Sequence, residues 1–352
     1  MNHPLVSVIV LAYNVGRFIE ECLQSIISQT YADIDIIVVV NGKSKDNTEE
    51  IVNRFAQQDN RIRLVYNHEN SHISEGRRLG LNAINGNYFL FVDGDDCLPS
   101  ESVDTLVQLM EANAVDIVMG STTTFVHDLP SDTVHPAPCK TEIFSMEAYL
   151  LNSIIRMDIA LPAKLYKSTL YTEKPIEFLL AISLYEDKLL HYQLVSYAGR
   201  LLRSNDIVYF VRKNPLSITN NLKYETVAGS FRVNNWLESF FRERGYFENR
   251  DFLLAYKANE YTDLYYLLTT GGLKAFKDFP KEVPDLLYSD YFKQPKVLNY
   301  IKGWKLFYIV LVLFRMNKYI GDLFGHKFLN IIRKITKKYK RYKYNKVARD
   351  VF

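Results

Sequence analysis

The chain has 352 residues, 48% of them hydrophobic and 24% charged, with a formal net charge of +3; this excludes a disordered or fibrous protein and leaves room for one large folded unit and a smaller addition. The three cysteines, Cys22, Cys97 and Cys139, are odd in number and form no CxxC pair, which argues against a disulfide framework and a structural zinc site and fits a reducing cytoplasm. The charge is uneven: residues 315–352 hold 12 of the 43 Lys and Arg but only two of the 40 Asp and Glu, so this end is about +10 and the rest about −7, the balance of a tail that meets a polyanion.

The first run, MNHPLVSVIVLAYN, lacks a basic n-region and a small-residue cleavage site, so it reads as a strand and not as a signal peptide. Strands are predicted at Val6 to Ala12, Ile36 to Val40, Ile62 to Tyr66 and Tyr88 to Val92, alternating with helices at Phe18 to Ser28, Thr48 to Ala56 and Ser74 to Ile84. SVIVLA and DIIVVV are apolar at every position but one, the pattern of parallel strands covered on both faces, so the expected fold is α/β with a doubly wound, mostly parallel sheet flanked by helices. Asp46 stands as the cap of one helix and Ser100 as the cap of SVDTLVQLM. Asp116 to Ser121 reads as a further strand, and residues 126–142, with their prolines and weak periodicity, as a loop between a nucleotide-binding half (about 1–125) and an acceptor-binding half (about 143–221). Helices at Met146 to Ser153 and Asp187 to Tyr197, a strand at Asp206 to Val211, and a mainly helical extension over 222–352 complete the pattern.

Ligands of an open α/β sheet sit beyond the carboxyl ends of its strands, so the strand-ending residues are the ones that carry chemistry. Here they are Ala12-Tyr13-Asn14, Asn41-Gly42 and Asp93-Gly94-Asp95-Asp96. Carboxylates fixed after the apolar strand YFLFV are suited to Mg²⁺ or Mn²⁺, which takes one or two of them and completes its shell with diphosphate oxygens and water. The bland alternative is an acidic turn that merely caps the helix after Pro99, and for such a short motif the two stand about even.

The strand, the acidic cluster and their order resemble the family 2 glycosyltransferases with the GT-A fold. VSVIVLAYNVGRFIEECLQSIISQTY is similar to that family's opening strand and helix, and INGNYFLFVDGDDCL to its DxD strand, with Asp95 in the position of the carboxylate nearest the metal and Asp93 at the first acidic position. HISEGRRLGLNAINGNY resembles the stretch from which an Arg, here Arg77, reaches toward the nucleotide. LYEDKLLHYQLV is similar to the segment ending in a Glu-Asp pair, which puts the general base on Asp187 with Glu186 and Tyr185 beside it on the acceptor side. VYFVRKNPLSIT matches the segment that closes over the diphosphate, with Arg212 and Ser217 to Thr219 as candidates; the likeness covers roughly residues 4–221. One departure is VVVNGKSKDNT, where the family commonly has two acids and Gly-Ser: Asn41 stands where an Asp usually meets the base, and its amide still offers a donor and an acceptor.

The resemblance implies a metal-dependent, inverting transfer of a sugar from a nucleoside diphosphate sugar, UDP foremost, to a glycan or lipid-linked acceptor in bacterial surface polysaccharide assembly. The implied donor site comprises Ala12, Tyr13, Asn41, Arg77, Asp93, Gly94, Asp95, Arg212 and Ser217, with Asp93 and Asp95 on the metal. Tyr13 is a candidate to stack on the base, and Tyr185 and Tyr192 to face sugar. The seven histidines, His68, His72 and His191 among them, lack metal-ligand spacing and read as loop or surface residues. LFYIVLVLF, nine apolar residues behind Trp304, is well short of the roughly 20 that span a bilayer. With the amphipathic, basic stretch that follows, it reads as an interfacial anchor from about residue 304, holding a cytoplasmic enzyme at the inner face of the membrane. A nucleotidyltransferase would carry a Gly-rich basic loop after the first strand and an oxidoreductase a GxGxxG, and AYNVGRFIEE has neither. A non-catalytic sugar-nucleotide or polyanion binder is the remaining alternative. No specific nucleic-acid motif accompanies the basic tail.

Overall fold

The computed structural model describes residues 3–67, 72–126, 128–130, 139–156, 158–214 and 224–249, with Phe252, Leu253 and Tyr256. These residues fall into two compact units, one formed by those up to 214 together with 229–240, the other by 224–228 and those from 241 onward. In the second unit Phe241 packs edge-on against Tyr246, Phe252 and Tyr256, an aromatic cluster around the end of one helix.

The first unit is built on an eight-stranded sheet. Its first half runs β1 (Val6–Ala12), α1 (Ile19–Ile27), β2 (Ile34–Asn41), α2 (Thr48–Gln58), β3 (Ile62–Asn67), α3 (Ile73–Asn82) and β4 (Tyr88–Asp93). The second half adds α4 (Ser102–Asn113), β5 (Ile117–Phe125), β6 (Thr141–Ser145), α5 (Met146–Arg156), β7 (Lys164–Lys167), α6 (Thr169–Thr172), α7 (Glu186–Tyr197) and β8 (Arg200–Arg212), together with residues 229–240 of α8 (Tyr224–Glu243). The strand order is β3-β2-β1-β4-β7-β5-β8-β6. β1, β2, β3 and β4 pair in parallel, as do β5 and β8, while β7 runs antiparallel between β4 and β5, and β6 antiparallel along β8.

All eight residues of β2 are buried, as the run of β-branched side chains requires of a strand covered on both faces. α1 covers the sheet through Ile19, Cys22, Leu23 and Ile26, one helical stripe. α3 crosses β1 so closely that a Cβ on Gly80 would lie 2.4 Å from Ile9 Cγ2, which only glycine permits. Parallel pairing brings Ala12 beside Val40 and Leu11 beside Asp93, so β1, β2 and β4 end along one edge.

The predicted strands and helices of the first half all form. The structure corrects the second half in three places: residues 141–145, the first two of them in the expected loop, form β6, residues 164–167 form β7, and β8 starts at Arg200, not at 206. Ser100 does not cap α4, whose N-cap is Glu101; Gln29 Oε1 takes the Val103 N–H at 3.0 Å instead. Asp46 does serve the start of α2, one residue before the N-cap Asn47, accepting from the Thr48 N–H at 3.1 Å and from Gly16 N at 2.9 Å.

Candidate functional site

Three strand ends form the floor of the site. β1 ends in buried Ala12, followed by half-buried Tyr13 and by Asn14, which adopts a left-handed backbone with φ 51°. β2 ends in Asn41, 3% exposed, whose amide is held on both sides: Nδ2 donates to the His72 carbonyl at 2.9 Å, and Oδ1 accepts from Asn67 Nδ2 at 2.8 Å. Gly76 of α3 lies over this amide, where a Cβ would meet Asn41 Cγ at 2.8 Å.

β4 ends in the acidic loop. Gly94 N–H donates to the Leu11 carbonyl at 3.1 Å, and a Cβ there would come within 2.5 Å of that oxygen, so glycine is what allows the loop to fold back over β1. The Asp93 side chain is 38% exposed, and Asp95 is half-buried with Oδ2 accepting from Asn214 Nδ2 at 2.9 Å. Burial pushes the Asp95 carboxyl above the usual range, with Asp93 adding to it and the Asn214 bond opposing. Asp96 is raised further, by burial and then by Asp93 and Asp95. Like charges so crowded favour a cation among them. Among the described residues no three His, Cys, Asp or Glu side chains gather into a metal cage, but two carboxylates with room for ligand oxygens are the donor set that Mg²⁺ or Mn²⁺ takes.

Arg77, on α3, connects this loop to α7. Its side chain is 5% exposed; Nη2 lies 3.3 Å from Asp93 Oδ1 and Nε lies 3.3 Å from Glu186 Oε1. The guanidinium stands 5.1 Å over the Phe91 ring, and Nη1 is buried without a hydrogen-bond partner. Burial alone would lower its pKa, yet Asp93, Glu186 and Asp187 together raise it, so it stays charged. Glu186 is buried and pushed up by that burial and by Asp187, with Arg77 opposing. Asp187 is partly buried and also raised, by burial first and with Arg77 opposing; its Oδ1 accepts from the Lys188 N–H at 2.7 Å.

The turn into α7 is locked from two sides. Tyr185, the N-cap, has φ 66° and Ala181 has φ 58°, both left-handed. Glu75 Oε1 accepts from Ala181 N at 2.8 Å, Ser74 Oγ accepts from Ile182 N at 3.3 Å, and Arg232 Nη2 on α8 donates to the Leu180 carbonyl at 2.5 Å. α3 therefore supplies both Arg77 and the clamp on the turn that presents Glu186 and Asp187.

Of the sequence-predicted residues, Ala12, Tyr13, Asn41, Asp93, Gly94 and Asp95 lie at the three strand ends, and Arg77 joins Asp93 to Glu186 at the start of α7. Arg212, at the end of β8, is 8% exposed, donates from Nε to the Asp95 carbonyl at 2.9 Å, pairs through Nη2 with Glu21, and stands 4.3 Å over the Phe125 ring. Ser217, the Ser217 to Thr219 segment and the basic tail from 304 lie outside the described residues. Tyr185, 8% exposed, has the Lys188 ammonium 5.1 Å from its ring. Two expectations are overturned. His191 is a fully buried core residue, its Nε2 3.0 Å from the Tyr149 hydroxyl and its Nδ1 3.0 Å from that of Tyr166, and Tyr192 is fully buried and so cannot face a sugar. Sequence reasoning missed Asp96, Tyr209 and Asn214, which hold the acidic loop; the second Asp of the DD pair was the one visible signal.

The sequence profile "Glycosyl transferase family 2" matches residues 7–167, from β1 to the end of β7. The chain is 36% identical over 117 residues to the glycosyltransferase GlyG of Streptococcus pneumoniae serotype 4, covering 33% of this chain and 38% of that protein. It is 44% identical over 115 residues to the uncharacterized glycosyltransferase EpsJ of Bacillus subtilis, a match covering 33% of each. The matched stretch thus spans about a third of the length of these relatives. Among solved structures, S. aureus TarS 1-349 in complex with UDP-GlcNAc superimposes with a TM-score of 0.53 at 19% identity, covering 75% of this chain and 82% of that one, a likeness of fold. The match takes in the strand-end acids and seven of the eight strands, and residues 7–167 are therefore similar to a family 2 glycosyltransferase domain.

Proposed function

We propose that the protein is an inverting glycosyltransferase that moves a sugar from a nucleoside diphosphate sugar, UDP foremost, to a hydroxyl of a glycan or lipid-linked acceptor in bacterial surface polysaccharide synthesis. The observation that carries this is Arg77, whose one guanidinium meets Asp93 of the acidic loop and Glu186 of the α7 start, drawing two groups of acids to one sheet edge. The TarS structures with UDP and with UDP-GlcNAc, and the TuaG relative named for teichuronic acid biosynthesis, support the substrate class.

In this reading Asp93 and Asp95 would hold Mg²⁺ or Mn²⁺, which when bound would supply Lewis-acid stabilisation to the leaving diphosphate. The acceptor oxygen bonds to the anomeric carbon as the bond to the diphosphate breaks, the electron pair leaves with the diphosphate, and the hydroxyl proton passes to Asp187. One displacement inverts the centre. With Oδ1 accepting from Lys188 N–H, Oδ2 is the oxygen assigned to that proton, and the raised pKa of a buried carboxyl brings the base closer to working pH. Glu186, paired with Arg77, orients the site from the acceptor side, together with Tyr185. Arg77 and Arg212 add fixed positive charge on the donor side. The basic end from about residue 304 attaches the enzyme to the inner face of the membrane.

The test is a donor screen: purified protein with Mn²⁺ or Mg²⁺, a panel of UDP-, GDP- and dTDP-sugars, and detection of released nucleotide. Release from one UDP-sugar that stops on chelation is the expected result. Release unaffected by chelation would refute the metal assignment, and no release with any donor and an added glycan acceptor would refute the transferase reading.

A further inference from the structure

The end of β8 lies along the acidic loop and binds it at every residue from Asp93 to Cys97 except Gly94. Tyr209, 1% exposed, donates its hydroxyl to Asp96 Oδ2 at 2.9 Å and accepts the backbone N–H of Asp93 at 3.0 Å. Asp96 Oδ1 accepts from Arg212 N–H at 2.7 Å, and Arg212 Nε donates to the Asp95 carbonyl at 2.9 Å. Cys97 and Phe210 exchange backbone hydrogen bonds in both directions, at 3.1 and 2.9 Å, and Asn214 Nδ2 reaches Asp95 Oδ2 at 2.9 Å.

Asp96 differs from its neighbours. It is 6% exposed and both its oxygens are taken by β8, whereas Asp93 is 38% exposed at its side chain. A carboxylate is costly to bury unless its oxygens are satisfied, so its presence here calls for a task that an apolar residue would not perform. That task is visible in the geometry. A hydroxyl has one proton, and Asp96 fixes its direction; the lone pair then left on Tyr209 faces the Asp93 N–H, at the point where β4 turns into the loop.

We propose that Asp96 and Tyr209 are positioning residues that set the separation and direction of the Asp93 and Asp95 carboxylates, and hence the affinity for a divalent cation with a diphosphate, without touching either. This rests on the metal-assisted reading above. Tyr209→Phe keeps the ring in place while leaving the Asp93 N–H and one Asp96 oxygen without their partner. Asp96→Asn keeps the shape but cannot accept from both Arg212 and Tyr209.

The experiment titrates Mn²⁺ into the full-length protein with UDP, following free Mn²⁺ by electron paramagnetic resonance, with UDP binding in chelator and the melting temperature measured alongside. Each variant should weaken Mn²⁺ binding about tenfold or more, the range for lost outer-shell partners of metal ligands, and leave chelator-insensitive UDP binding unchanged. The double variant should lose no more than either single one, because the same chain of bonds is already broken. A lower melting temperature with wild-type Mn²⁺ affinity in both variants would mark the pair as merely structural and overturn the proposal. If wild type with UDP binds no Mn²⁺, the metal assignment above fails and this inference with it; wild-type binding unchanged in the variants overturns this inference alone.

Discussion

Arg77 and Glu186 stand 109 residues apart in sequence, yet Arg77 Nε and Glu186 Oε1 approach to 3.3 Å inside the protein, with both side chains under 10% exposed. A buried ion pair is weak evidence for stability, because desolvation offsets the attraction, but removing one partner leaves the other charge stranded. Arg77→Met should therefore lower unfolding free energy by about 3–5 kcal/mol in urea titrations. Adding Glu186→Gln to Arg77→Met should recover part of that loss, since a neutral amide no longer needs the guanidinium. Additive losses in the double variant would show that the two residues are not coupled.

His191 makes the fold sensitive to acid. Burial holds its pKa down to about 3 from an ordinary 6.5, so the imidazole is neutral in the folded state. A consistent direction follows: Asp158 can only accept, so the Tyr149 hydroxyl donates to it, His191 Nε2–H donates to Tyr149, and Nδ1 accepts from Tyr166. Between pH 6.5 and 3 the unfolded chain binds a proton at this site that the folded one does not, so stability is full above 6.5 and falls as pH drops. From pH 7.5 to 5 the loss at this group should reach about 2 kcal/mol. Asp158, held low against its own burial by the charges of Lys164 and Arg203, loses stability in the same direction but only in more acidic solution. His191→Gln should be less stable than wild type at pH 7.5 and show a flatter pH dependence of the urea midpoint. An unchanged slope would mean that other groups govern the acid response.

Strand runs and strand-end acids were legible because their causes are local. A strand covered on both faces must be apolar throughout, and β1, β2 and β4 announce themselves in that way. β7 did not, because KLYK is four residues long and its apolar pair lies between two lysines that are satisfied at a distance, Lys164 by Asp158 and Lys167 by Asp116. The Glu186-Asp187 pair was legible as a motif, but its connection to Asp93 through Arg77 is a tertiary fact that no spacing encodes. His191 was misread for the same reason: a polar residue suggests surface until two tyrosine hydroxyls, from α5 and β7, are seen to satisfy both ring nitrogens. Asp96 belongs with these, since only the arrival of β8 distinguishes it from Asp95.

The basic end gives a prediction drawn from charge alone. A segment of about +10 behind an apolar, Trp-led run should bind anionic vesicles, at about 1 kcal/mol per basic residue near the surface, and should weaken as salt screens it. Among the described residues no helix is long and apolar enough to cross a membrane. Deleting residues 304–352 should leave the protein in the supernatant when phosphatidylglycerol vesicles are sedimented, while the full chain pellets at low salt and is released at high salt. Equal partitioning of the two forms would rule out the anchor.

Asp187 and Glu186 are adjacent, both raised by burial, and only one of them faces Arg77 at hydrogen-bonding distance. That difference separates their roles in the proposed reaction. Asp187, without the guanidinium bond, is the carboxylate able to take a proton from an acceptor hydroxyl; Glu186 is committed to Arg77. Asp187→Asn keeps size and the bond from Lys188 N–H but cannot accept a proton, so transfer should fall by about 10² or more while donor binding with metal stays near wild type. Glu186→Gln should be milder in kcat, because an amide oxygen still accepts from Arg77. The pH profile adds an independent check. A base whose pKa is raised is protonated, and so inactive, at pH values where an ordinary carboxyl works; the acid limb of kcat/KM should therefore lie above the usual carboxylate range. In Asp187→Asn that limb should disappear from the residual activity. Should calorimetry show instead that Asp187→Asn loses donor binding while its rate at saturating donor remains near wild type, the carboxylate belongs to the donor side and the base lies elsewhere.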